Sequence, residues 1–125
     1  GNGPTILLNA HLDTVEGFPA GRMIEKNGTI WSSSNGILGA DDRAGVAIVL
    51  EIAKRLEASS FHGRVKFIFT VEEEIGLVGA RSLNEYFLWD VDAAIVVDRR
   101  GTSDIVVSCG STFLSVMKAM GSILR

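Results

Sequence analysis

The sequence predicts an α/β fold, a sandwich built on a largely parallel sheet. Two observations point there. Short apolar runs rich in β-branched residues alternate with segments of helical periodicity, in the order strand, helix, strand, helix, strand. Each apolar run then ends in a group of acidic or imidazole side chains, as expected where strands deliver ligands to a site beyond their carboxyl ends.

The first strand is read at Thr5–Asn9, an apolar run between Pro4 and the polar pair His11 and Asp13. Gly21–Ser34 alternates loosely around Met23, Ile24, Ile30 and Trp31, and Asn27-Gly28 is a turn signal, so a β-hairpin is expected there. From Ala44 the apolar residues Val46, Val49, Ile52, Ala53 and Leu56 recur at helical spacing, opposite Glu51, Lys54, Arg55 and Glu57. Asp41 and Asp42 precede that helix, where carboxylates cap free N–H groups and meet the positive end of the dipole. Val65–Val71 is too short for a typical helix and reads as the next strand, running into Glu72, Glu73 and Glu74. Gly79–Phe87 reads as a second helix and Ala93–Val97 as a fully buried strand ending at Asp98. Ile105–Val107 suggests one more strand, and Thr112–Leu124 a terminal helix. Trp31 and Trp89 are expected to pack.

Composition narrows the partners. A chain of 125 residues with 46% hydrophobic content supports one core, and no repeat or linker divides it, so residues 1–125 are expected to form a single domain or part of one. A net charge of −3, with basic residues scattered, offers no stripe for a phosphate backbone, which argues against nucleic acid. No apolar run is long enough to span a membrane, and the opening Gly1-Asn2-Gly3-Pro4 lacks the zones of a signal peptide. Cys109 is the single cysteine, so no intrachain disulfide forms and a cytoplasmic setting is the expectation. It is read as a small, partly buried thiol rather than a zinc ligand.

The chemistry lies in four segments: His11-Leu12-Asp13-Thr14-Val15, Gly39-Ala40-Asp41-Asp42-Arg43-Ala44-Gly45, Glu72-Glu73-Glu74-Ile75-Gly76 and Val96-Val97-Asp98. Carboxylates gathered at one end of a sheet raise one another's pKa unless a cation compensates them. Taken singly, Asp41-Asp42 would be a helix cap, the three glutamates a solvated turn and His11 a satisfied polar residue. Together, in this order, they resemble the co-catalytic zinc exopeptidases, and among those the peptidase T-like aminopeptidases, over roughly residues 5 to 110.

That resemblance implies a three-layer α/β sandwich with a mostly parallel mixed sheet. It makes His11 and Asp98 ligands of one zinc ion, Asp41 a bridge between two, and Glu74 a ligand of the second. Glu73 becomes the general base, and Asp13 the carboxylate that orients His11. It also implies a cis peptide at Asp41-Asp42. Two Zn²⁺ ions are expected in a complete site, although Co²⁺ or Mn²⁺ suits the same donors. The implied reaction is hydrolysis of an amide bond near the end of a short peptide. Carboxypeptidases and N-acyl amino acid deacylases, which take an acylamino acid, share the core. A non-catalytic metal-binding or assembly module is the alternative from another class.

The pattern also breaks. The family's second metal takes a further histidine from late in the catalytic domain, and none follows His62, itself read as a surface residue. The chain does not begin with methionine and has no room for a lid domain, so a truncated catalytic domain is expected. Exposed sheet edges and homo-oligomers should follow. Glu72 should point away from the metals by strand alternation. Arg99-Arg100 replaces small residues after Asp98. It reads either as a carboxylate-binding pair or, more simply, as surface arginines beside Asp92 or Asp104.

Overall fold

The computed structural model describes residues 3–15, 25–26, 30–31 and 37–107. Its centre is strand β1 (Thr5–His11), which pairs in parallel with β4 (Arg64–Thr70) on one side and β5 (Ala93–Val96) on the other, giving the order β4-β1-β5. Strands β2 (Glu25–Lys26) and β3 (Ile30–Trp31) form a separate antiparallel pair, as the Asn27-Gly28 turn signal predicts. The three-stranded sheet is wholly parallel among the described residues. A parallel sheet needs cover on both faces.

Helix α1 (Ala40–Leu56) covers one face. Its Val49 is fully buried against Leu8 and Ala10 of β1, with Val46 and Ile52 beside them. The other face is covered by the segment after β4: Leu88 and Val91 close over Leu7, with Leu83 and Ile68 at the margin. Side-chain alternation along β1 thus sorts Leu8 and Ala10 to one layer and Leu7 to the other, which makes the three layers.

Several expectations are corrected. The helix starts at Ala40, not Ala44, although Asp41 and Asp42 depart from helical geometry and are joined by a cis peptide bond. Gly79–Phe87 is not one helix. It is a single turn α2 (Val78–Arg81) followed by a 3₁₀ turn at Glu85–Phe87. Asn84 separates them, because its side chain accepts from Tyr86 N–H at 2.9 Å and so starts a new turn. Ile105–Val107 forms no strand and lies exposed. Trp89 does not pack into a core: it is 69% exposed and meets Tyr86 edge-on. Cys109 and Thr112–Leu124 lie outside the described residues.

Candidate metal centre

The parallel register brings the ends of β1 and β4 level, since His11 is opposite Thr70, and Leu12 N–H donates to Thr70 at 2.9 Å. His11 therefore emerges beside the Val71–Gly79 loop. That loop is closed by its own backbone: Leu77 N–H and Gly76 N–H bond Glu73, Val78 N–H bonds Glu72, and Gly79 N–H bonds Val71. Glu72 stays out of the cluster as expected, but for a different reason than strand alternation: it adopts a left-handed conformation (φ 55°) at the corner beyond β4 and is exposed. Glu73 and Glu74 are left to face β1.

His11 is 2% exposed, and its Nε2 is the hub of the site. Asp41 Oδ1 lies 3.1 Å from it, Glu73 Oε2 4.0 Å and Asp98 Oδ1 4.0 Å. Donor atoms fall into two groups that share this histidine, His11 with Asp41 and Asp98, and His11 with Glu73 and Glu74; within each group all lie within 4.8 Å of one another. Behind the ring, Nδ1 and Asp13 Oδ1 are both buried, 3.3 Å apart and without an aligned hydrogen bond. The other oxygen of Asp13 accepts from Glu74 N–H at 3.1 Å. Asp13 thus ties the end of β1 to the glutamate loop.

The electrostatics follow from this crowding. For His11 burial disfavours the cation, yet the hydrogen bond to Asp41 and the charges of Asp98, Glu73 and Asp42 outweigh it and raise its pKa. Burial, then the charge of Asp98, lifts the Glu73 carboxyl above its ordinary value. Burial likewise lifts Asp98, with Asp41 adding to it against the opposing pull of His11. Asp13 moves the other way: burial opposes ionisation, but backbone N–H donors led by those of Glu73 and Glu74 overcome it and hold the carboxyl down.

The donor set fits a divalent cation. Two ligands each about 2.0–2.1 Å from a tetrahedral ion stand about 3.3 Å apart, close to the separation of His11 Nε2 and Asp41 Oδ1. His11 Nδ1 faces the Asp13 carboxylate at 3.3 Å, and a carboxylate in that place commonly backs a ligating imidazole. All six site residues read from the sequence, His11, Asp13, Asp41, Glu73, Glu74 and Asp98, lie at this one end of the sheet.

His62 does not. It is exposed before β4, at the opposite end of the strands, roughly 20 Å away by strand rise. Arg99 meets Asp104 at 3.9 Å on the surface, in keeping with the simpler reading of that pair. Asp92 is engaged elsewhere, accepting from Thr5 N–H at 2.7 Å. Read from its place before the helix, Asp42 has only a capping role. It does accept from Gly45 N–H at 3.1 Å, but it is also 4% exposed and accepts from His11 N–H at 3.2 Å. The available signal was the buried amide of His11, which must find a partner where the sheet stops.

A parallel sheet with an imidazole and a cluster of carboxylates at its carboxyl end has the donor set of a divalent-cation site. The comparisons with known proteins agree. The model of Peptidase family M28 matches residues 1–121, and the chain belongs to that metal-dependent family. The peptidase T-like resemblance of the four motifs holds as well. The chain is 41% identical over 81 residues to the uncharacterized protein YqjE of Bacillus subtilis, covering 64% of this chain and 22% of that one. It is 39% identical over 69 residues to a peptidase T-like protein of Yersinia pestis, covering 55% and 17%. Among solved structures it superposes on a tripeptidase from Staphylococcus aureus with a TM-score of 0.65 and 38% identity, covering 78% of this chain and 26% of that one. The aminopeptidase PepT from Bacillus cereus gives the same score and identity over 80% and 27%. The chain therefore spans about a quarter or less of the length of each of these relatives.

Proposed function

We propose that the protein to which this chain contributes cleaves the terminal peptide bond of a short peptide, in the manner of an aminopeptidase. The observation that carries this reading is the convergence of Asp41, Glu73 and Asp98 on the buried Nε2 of His11. Residues 1–125 form one part of the catalytic domain in this reading, without a lid. His11, Asp41, Asp98 and Glu74 would hold the metal, two zinc ions in this reading, and His62 at the far end of the strands would not contribute. When bound, such a pair lowers the pKa of water and polarises a carbonyl.

The chain's own groups then divide the work. Asp13, 3.3 Å from His11 Nδ1, holds the orientation of the ring. Glu73 takes a proton from the attacking water and returns it to the leaving amine, a role that its raised pKa suits. Nothing in the donor set separates Zn²⁺ from Co²⁺ or Mn²⁺. A homo-oligomer that covers the exposed sheet edges, and a cytoplasmic setting, belong to the same proposal. No helix among the described residues is long and apolar enough to cross a membrane.

The test is Glu73→Gln in the full-length protein, assayed for amino-acid release from tripeptides after loading with zinc. The expected result is a fall in kcat of about 10²–10⁴-fold with both ions retained. Zinc-loaded protein that leaves tripeptides intact but deacylates N-acyl amino acids, or releases residues from the carboxyl end, would replace the aminopeptidase reading. Folded protein that binds no metal and turns over nothing would leave the assembly-module reading.

A further inference from the structure

Two carboxylates flank His11, the half-buried Asp13 and the buried Asp42, and only Asp13 faces its ring. Asp13 fastens the end of β1 to the glutamate loop, as described. On the other side the β1–β5 ladder ends with Val97 N–H donating to Asn9 at 2.9 Å. In a regular parallel ladder the next amide along β1, that of His11, would donate to the Val97 carbonyl. Instead it donates to Asp42 Oδ2 at 3.2 Å, while Asp42 Oδ1 accepts from Gly45 N–H at 3.1 Å. The displaced Val97 carbonyl is packed against Gly45. A Cβ at that position would collide with the Val97 carbonyl oxygen and with Asp42 Oδ1.

One buried side chain and one missing side chain therefore sit where three ligand-bearing ends meet. Asp42 holds the backbone of His11, follows Asp41 directly in the chain, and rests on Gly45; Gly45 in turn admits the carbonyl next to Asp98. We propose that Asp42 and Gly45 are positioning residues, which set the mutual placement of His11, Asp41 and Asp98 without contacting substrate or metal. The proposal deepens the metal reading above and rests on it for its consequence, though not for its geometry.

The carboxylate is needed because it accepts two backbone donors at once. Asparagine keeps the shape but has one accepting oxygen, so either His11 or Gly45 loses its partner. Alanine at Gly45 leaves the carboxylate in place and pushes it and the Val97 carbonyl apart.

The experiment compares wild type, Asp42→Asn, Gly45→Ala and the packing control Leu8→Val by two measurements. One is the nitrogen-15 spectrum of the His11 ring in metal-free protein; the other is titration with Co²⁺ followed by its visible absorption. The expected result is shifted or multiple His11 ring signals and cobalt affinity lower by about 10–100-fold in both Asp42→Asn and Gly45→Ala. Leu8→Val should lose thermal stability with neither change. Should Asp42→Asn fail to fold, Gly45→Ala decides. Ring signals that superpose on wild type, with affinity unchanged, overturn the proposal even if both variants are less stable. A wild type that takes up no cobalt removes the metal reading alone, and the ring signals still decide the positioning.

Discussion

Strands β1 and β5 lie side by side in the same sheet and are built from similar apolar residues, yet their surroundings differ sharply. In β1, Leu7, Leu8 and Ala10 are buried at 3%, 5% and 0% exposure. In β5, Ile95 and Val96 are 54% and 41% exposed, although Ile95 is level with Leu8 in the register. An apolar strand records what surrounds it in the protein for which it was selected. Its pairing register, by contrast, needs only its neighbour. That is why the ligand-bearing ends converge here while the lateral face of β5 stands open.

Substitution should cost most at the shared end of the strands. His11→Ala removes the hub of the donor cluster and should lower zinc affinity by more than the ~10–100-fold that loss of a supporting partner brings, whereas His62→Ala should leave it unchanged. Isothermal titration of both variants checks this. Next in size, Leu8→Ala should destabilise the fold by about 2–5 kcal/mol, the range for emptying a packed leucine site, as measured by urea unfolding.

A third outcome concerns pH. His11, Asp42, Glu73 and Asp98 all have raised pKa values in the metal-free fold, so they favour folding most below their unfolded values and lose that contribution as pH rises through the folded ones. Asp13, with a lowered value, contributes in the opposite sense, losing its contribution as pH falls. Asp13 loses its contribution only below the ordinary carboxylate range, so it does not offset the others as pH rises above it. Chelator-treated protein should therefore melt at a lower temperature at about pH 8 than at about pH 5, and added zinc should raise the melting temperature more at the higher pH, where fewer protons compete. Equal shifts at both would contradict this account. The smallest effect belongs to β5: Ile95→Thr should change stability by no more than about 0.5 kcal/mol, and sedimentation should show weaker self-association.

Much of this was legible in the sequence because it depends on short-range pattern. The apolar runs around Leu7, Phe67 and Ile95 mark the strands, and the spacing of Val46, Val49 and Ile52 marks the inner face of α1. The order of the four motifs located the cluster. What escaped depends on partners distant in the chain. Asp41 and Asp42 look alike in sequence, and only the end of β1 separates their roles, drawing one toward the imidazole and the other beneath its backbone. The break between Val78–Arg81 and Glu85–Phe87 turns on a local side-chain bond of Asn84 that competes with helical continuation. Trp89 and Ile105–Val107 were read from composition, which gives burial only when something lies opposite.

The loop from Val71 to Gly79 keeps its form through its own main chain. Because its shape is held by main-chain bonds, and because Gly79 leaves no room for a side chain beside the Val71 carbonyl, the carriage of Glu73 owes little to its outward residues. Ile75, 61% exposed at the tip, is free to be exchanged for other side chains without unseating the acid. A lineage could thus retune what brushes past this corner while the proton-handling group stays where it is.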